Sequence, residues 1–186
     1  MATSGSPAKP IAPRELLTYR GSFALLILAE AMVFVTVFAL RFVLVGNTPG
    51  AALSLWLGIA LTAIFLVSAF PAFQALRAIR DGRQEAMVRY LGIALVLGLL
   101  ALVIIVLDWA TLDIPFSDPF GSAYLLATLY HVIHIVAGLV TFLALRSSGR
   151  RGRFSPANHW VVEAGVLLWM FVIVTWLALF VVFYLL

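Results

Sequence analysis

No cysteine occurs among the 186 residues, so neither a disulfide scaffold nor a thiolate metal centre is available. Charge is scarce too: Asp, Glu, Lys and Arg make up 11% of the chain, against 64% hydrophobic residues. A soluble domain of this length does not bury so much apolar surface with so few charges, and the composition describes a polytopic membrane protein. The basic excess, 12 Lys and Arg over 8 Asp and Glu, does not point to nucleic acid. These residues sit in short segments beside apolar runs, where they set topology. Residues 1–19 contain no apolar core; they read as a cytoplasmic tail rather than a cleavable signal peptide, and the first run serves as its own signal anchor.

What is present is five apolar runs, at about 21–45, 52–76, 87–107, 120–145 and 159–185, each long enough to cross a hydrocarbon core of about 30 Å. Breaks fall at Gly46, Asn47, Pro49 and Gly50, at Asp81 and Gly82, at Pro115 and Pro119, and at Gly149, Gly152 and Pro156. The expected fold is all-α, one five-helix transmembrane domain over 20–186. Lys and Arg cluster before the first run and in the second and fourth connections. The third connection carries Asp108, Asp113 and Asp118. This asymmetry predicts a cytoplasmic N-terminus and a C-terminus outside.

Glu30 stands in the middle of the first run, about 14 Å along the helix from Arg20. A carboxylate at that depth must be protonated, paired or turned towards protein; a structural hydrogen-bonded Glu and a functional one both remain open. Arg41 is expected to reach the outer interface as an anchor. Pro71 frees a carbonyl in the second run, with Ser68 as a local partner. Asp108 and Trp109 read as an interfacial acid and a belt aromatic.

In the fourth run Thr128, His131, His134, Gly138 and Thr141 recur at helical spacing, a stripe suited to contact with another helix. Packing histidines are the default reading of His131 and His134. A shared metal would need further ligands, and His159 is poorly placed to join them. In the fifth run Glu163 lies one turn from His159, which predicts a polar pair near the cytoplasmic interface. Trp169, Trp176 and Phe183 form a seven-residue packing stripe.

Together these segments resemble subunit III of the haem–copper respiratory oxidases, the cytochrome c oxidase and quinol oxidase family. The likeness rests on Gly21, Glu30, Met32 and Phe34; on Arg89 to Trp109, with Asp108 where the family has Glu; and on Phe120-Gly121-Ser122 with Tyr130-His131 and His134 to Gly138. It ends on His159, Glu163, Trp169, Phe171 and Trp176. Met170 and Ile173 depart from the family's usual His and Asp. The resemblance covers about residues 20–186; the family's seven-helix form has two further helices ahead, making a V-shaped cleft that holds phospholipid. It implies a non-catalytic subunit in a bacterial cytoplasmic membrane, packed on subunit I with subunit II nearby, supporting proton uptake and stability. Haem and copper are then expected in the partner subunits and none in this chain, with structural phospholipid as a possible ligand. Glu30, His131, His134, His159 and Glu163 would serve structure, proton-uptake support or the subunit interface. An accessory subunit of a nitric oxide reductase and a small transporter acting alone are the other readings.

Overall fold

A computed structural model describes residues 11–46, 53–113, 115 and 117–186. Asn47, Pro49 and Gly50 of the first connection, and Lys9 of the tail, lie outside the described residues. Five helices account for almost all of the rest: α1 (Pro13–Val45), α2 (Leu55–Arg80), α3 (Gln84–Ala110), α4 (Pro119–Arg150) and α5 (Trp160–Phe180). A π-helical turn, Val181–Leu185, continues α5. All five are long and apolar enough to cross a membrane, and the protein is an integral membrane protein.

Their ends follow local chemistry. Pro13 opens α1, where a missing N–H costs nothing, and Gly46 closes it at φ 71°, donating to Phe42 O. The Asp118 side chain caps α4 by accepting from the Gly121 N–H at 2.8 Å. α1 begins ahead of its apolar run and α4 runs on to Arg150, because polar residues at the interface keep the helical hydrogen bonds going. At 33 residues α1 is about 50 Å long, well beyond the hydrocarbon thickness.

α2, α3, α4 and α5 pack as a closed ring in that order, and α1 lies outside it, chiefly against α4 and α5. Small residues set the spacing. The Trp169 indole lies between Gly98 and Gly138, where an added Cβ would come within 2.6 and 2.7 Å of the ring. Gly165 does the same for α4, where a Cβ would stand 2.6 Å from Leu145 Cδ1. Trp169, Trp176 and Phe183 are all buried, as their seven-residue spacing predicts.

Three indoles are fastened in one way. Trp169 Nε1 donates to Ser68 Oγ, Trp176 Nε1 to Thr62 Oγ1 and Trp109 Nε1 to Thr128 Oγ1, each at 2.9 Å. Each hydroxyl passes its own proton to a carbonyl of its own helix: Ser68 to Phe65 O, Thr62 to Gly58 O and Thr128 to Tyr124 O. These three indoles and three hydroxyls are thereby satisfied without water. Ser68 thus serves Phe65 and Trp169, not the carbonyl that Pro71 frees.

Candidate functional site

The five residues singled out in the sequence divide into two groups, one inside the α1–α4 contact and one at the start of α5. In the first, Tyr130 Oη donates to Glu30 Oε2, and His134 Nε2 lies 3.3 Å from the same oxygen. His134 Nδ1 is 2.9 Å from the Tyr130 carbonyl, which can only accept, so Nδ1 carries a hydrogen. Phe34 covers the group, with ring centroids 4.8 Å from Tyr130, 5.2 Å from His134 and 5.8 Å from Phe171. Glu30 is 35% exposed at its side chain, on the outer edge of the bundle.

His131 belongs to the same helix face yet points elsewhere. It is fully buried, its ring 5.7 Å from both Phe65 and Trp176. Its Nδ1 is 3.4 Å from Thr175 Oγ1, whose hydrogen goes to Phe171 O or Val172 O. The two histidines thus serve different contacts, His134 towards α1 and His131 towards α2 and α5. Among the described residues no three His, Asp or Glu side chains gather to hold a metal ion.

The second group closes the opposite ends of α1, α2 and α5. Arg20 donates to both oxygens of Glu163 at 2.9 Å, and Arg80 stands 3.5 Å away. His159 Nε2 is 4.0 Å from Glu163, too far for a hydrogen bond, while its Nδ1 lies 2.8 Å from Pro156 O. The pair expected between His159 and Glu163 is therefore secondary to a three-helix ion cluster. A groove of about 500 Å³ runs from this cluster between α1 and α5, lined by Phe23, Ile27, Leu167, Met170 and Val174. A second stretch of about 460 Å³ continues it past Ala31 and Phe38. Met170, where the family's His is expected, lines the groove wall, and Ile173 packs in the core.

Sequence reading missed Tyr130, Arg20 and Arg80 as partners. Tyr130 precedes His134 by one turn on a face already marked as polar, which was the available signal. By sequence position the two arginines mark topology, and nothing local pairs them with Glu163. Asp108 and Arg41 are also placed differently from expectation. Asp108 is 4% exposed and accepts from Tyr124 Oη, with Tyr184 Oη at 3.3 Å. Arg41 is buried between the Phe42 and Phe120 rings, each about 5.5 Å away, and donates to Gly46 O. In both cases a nearby hydroxyl, carbonyl or ring takes the place of interfacial water.

Chemically, both groups hold acids against donors across helix boundaries. A family model for cytochrome c oxidase subunit III matches residues 16–186. Among curated proteins, the cytochrome c oxidase subunit 3 of Synechocystis sp. is 30% identical over 66% of this chain and 54% of its own length. The probable cytochrome c oxidase subunit 3 of Mycobacterium leprae is 27% identical over 84% of this chain and 82% of its own. That of Paracentrotus lividus is 30% identical over 66% and 48%. The chain thus spans about half the length of the first and third of these relatives.

Proposed function

The chain belongs to the cytochrome c oxidase subunit III family, and on that footing we propose that it is an accessory subunit of a haem–copper terminal oxidase. In this reading it packs on subunit I, in a complex with subunit II, in a bacterial cytoplasmic membrane with its N-terminus inside. It carries no catalytic centre; haem and copper belong to the partner subunits. His134 and His159 spend Nδ1 on backbone carbonyls, and Glu30 and Glu163 face Tyr130 and Arg20, a donor set suited to fastening helices.

The observation that carries the reading is the cross-helix placement of Glu30. It joins α1 to α4 from the edge of the bundle, beside an α1 surface whose Leu25, Leu28 and Met32 remain exposed. Such a surface suits burial against another membrane subunit, with the Glu30 group stabilising the contact and supporting proton uptake indirectly. The groove along α1 and α5 is lined mainly by apolar side chains and has Arg20 among its lining, a combination that suits a structural phospholipid whose phosphate meets that guanidinium. Affinity purification of the chain in mild detergent, followed by an optical spectrum, is the test. Haem absorbance in stoichiometric company is expected; a chain that purifies without haem protein from oxidase-containing membranes would overturn the assignment.

A further inference from the structure

The seam between α3 and α4 holds an arginine without a counter-ion. Arg146 stands one turn before the end of α4, and its half-buried side chain crosses to α3 at Gly92. A Cβ added to Gly92 would lie 3.1 Å from Arg146 Nε and 3.3 Å from Cζ, so the missing side chain makes room for the guanidinium. Nε is shut off from solvent and has no hydrogen-bond partner. Nor does the side chain run out to water. Gly149 meets Met87 and Val88, so Arg146, three residues earlier on an antiparallel helix, is level with Tyr90 and Leu91. Its guanidinium at Gly92 therefore reaches across the seam, whereas a snorkelling arginine extends towards the helix ends.

The charges around it have one sign. Arg150 follows Arg146 by one turn on α4, and Arg89 precedes Gly92 by three residues on α3; both are exposed. Glu85, the acid of this end of α3, is exposed and about 10 Å from Gly92 along the axis. Among the described residues no acid forms an ion pair with Arg89, Arg146 or Arg150, whereas Arg20 holds Glu163 and Arg83 holds Asp81. The neighbouring polar position is taken by an amide, Gln84, which donates to Gly149 O. Away from this basic end the same side of the two helices is apolar. Val96 and Leu99 follow Gly92 by one and two turns, Leu143 precedes Arg146 by one, and all three are exposed. Basic pockets between transmembrane helices recognise anionic headgroups, and a guanidinium grips phosphate through paired N–H donors.

We infer that the α3–α4 seam binds one anionic phospholipid, its phosphate taken by Arg146 with Arg89 and Arg150 and an acyl chain laid over Val96, Leu99 and Leu143. The groove along α1 and α5 has no α3 or α4 residue in its lining, so the two sites are separate. The inference needs only an integral membrane protein and holds whichever complex the chain joins. Its test uses the full-length chain in mild detergent with a phosphatidylglycerol carrying a photoactivatable group in one acyl chain, the labelled peptides being mapped by mass spectrometry. Saturable labelling is expected on the segments holding Val96, Leu99 and Leu143, with a phosphatidylcholine analogue labelling them weakly. Arg146→Gln and Arg89→Gln should each weaken it about fivefold, one arginine's attraction to an anionic lipid surface. Arg89 is exposed, so its variant reads the site without a folding cost. Arg20→Gln should leave labelling here unchanged. Equal labelling by the phosphatidylcholine analogue, or labelling unaltered in both the Arg146 and Arg89 variants, would overturn the site. Displacement of the probe by an equal concentration of inorganic phosphate would overturn the lipid as its ligand.

Discussion

Arg20 and Glu163 join the first helix to the last: one guanidinium nitrogen donates to both carboxylate oxygens at 2.9 Å, across 143 positions of sequence. Arg20 is 46% exposed, so solvent screens the pair and its net worth is about 0.5 kcal/mol. Arg20→Ala should lower global stability little. It should loosen the adjoining end of α1, read as faster amide exchange around Thr18 to Phe23 with the α2–α5 ring unchanged. Equal acceleration in α3 would show that α1 is not an independent outer layer.

Gly138 and Gly98 hold the Trp169 indole from two sides. A methyl at either position would overlap the ring, and Leu139 Cδ2 too in the case of Gly98. Gly98→Ala and Gly138→Ala should each cost about 1–3 kcal/mol by overpacking, measured by denaturant titration in detergent with tryptophan fluorescence as the probe. Gly21→Ala, with nothing within 4 Å of the new methyl, is the neutral control.

Asp108→Ala removes the acceptor of the Tyr124 hydroxyl. Tyr184 Oη, 2.7 Å from Tyr124 Oη, takes up part of the loss. The expected destabilisation is therefore about 1–2 kcal/mol, at the low side of the range for an orphaned buried polar group. Pairing it with Tyr124→Phe should cost less than the sum of the two single changes, and strict additivity in that cycle would separate the residues energetically.

Orientation is open to direct labelling because the chain has no native cysteine. Ser117→Cys, exposed between α3 and α4, should react with an impermeant thiol reagent on intact cells. Ala157→Cys, exposed before α5, should be protected until the membrane is opened. The reverse pattern would invert the positive-inside assignment.

In the oxidase complex proposed above, Glu30→Gln keeps the side-chain shape and should leave initial turnover nearly intact. Glu30→Ala strips Tyr130 and His134 of their partner, costs about 1–3 kcal/mol and should reduce the amount of this subunit retained on purification. Immediate loss of proton uptake in Glu30→Gln with normal subunit content would make Glu30 a proton carrier instead of a packing residue.

The five spans were legible because membrane thickness demands a long apolar run, and composition reports that directly. The helix face carrying Thr128, His131 and His134 was legible for the same kind of reason: polar residues at helical spacing cannot all face lipid. What periodicity does not reveal is which partner each polar group finds. Glu30 meets Tyr130 across 100 residues of chain and Glu163 meets Arg20 across 143, and no local pattern encodes such pairings. Asp108 and Arg41 misled because a charge near a helix end usually meets water. Here the Tyr124 and Tyr184 hydroxyls, and the Gly46 carbonyl, supply that role from within the protein.

The outer position of α1 has a consequence for biogenesis. Synthesis delivers α1 ahead of the helices it rests on, α4 and α5. When Glu30 enters the bilayer its Tyr130 partner is still a hundred residues from being translated. During that interval the acid lacks its Tyr130 donor, and α1 has no α4–α5 surface to settle against. Translation arrested between α3 and α4 would therefore leave a nascent chain with an unpaired intramembrane carboxyl, the kind of feature an insertase can hold and a membrane protease can recognise.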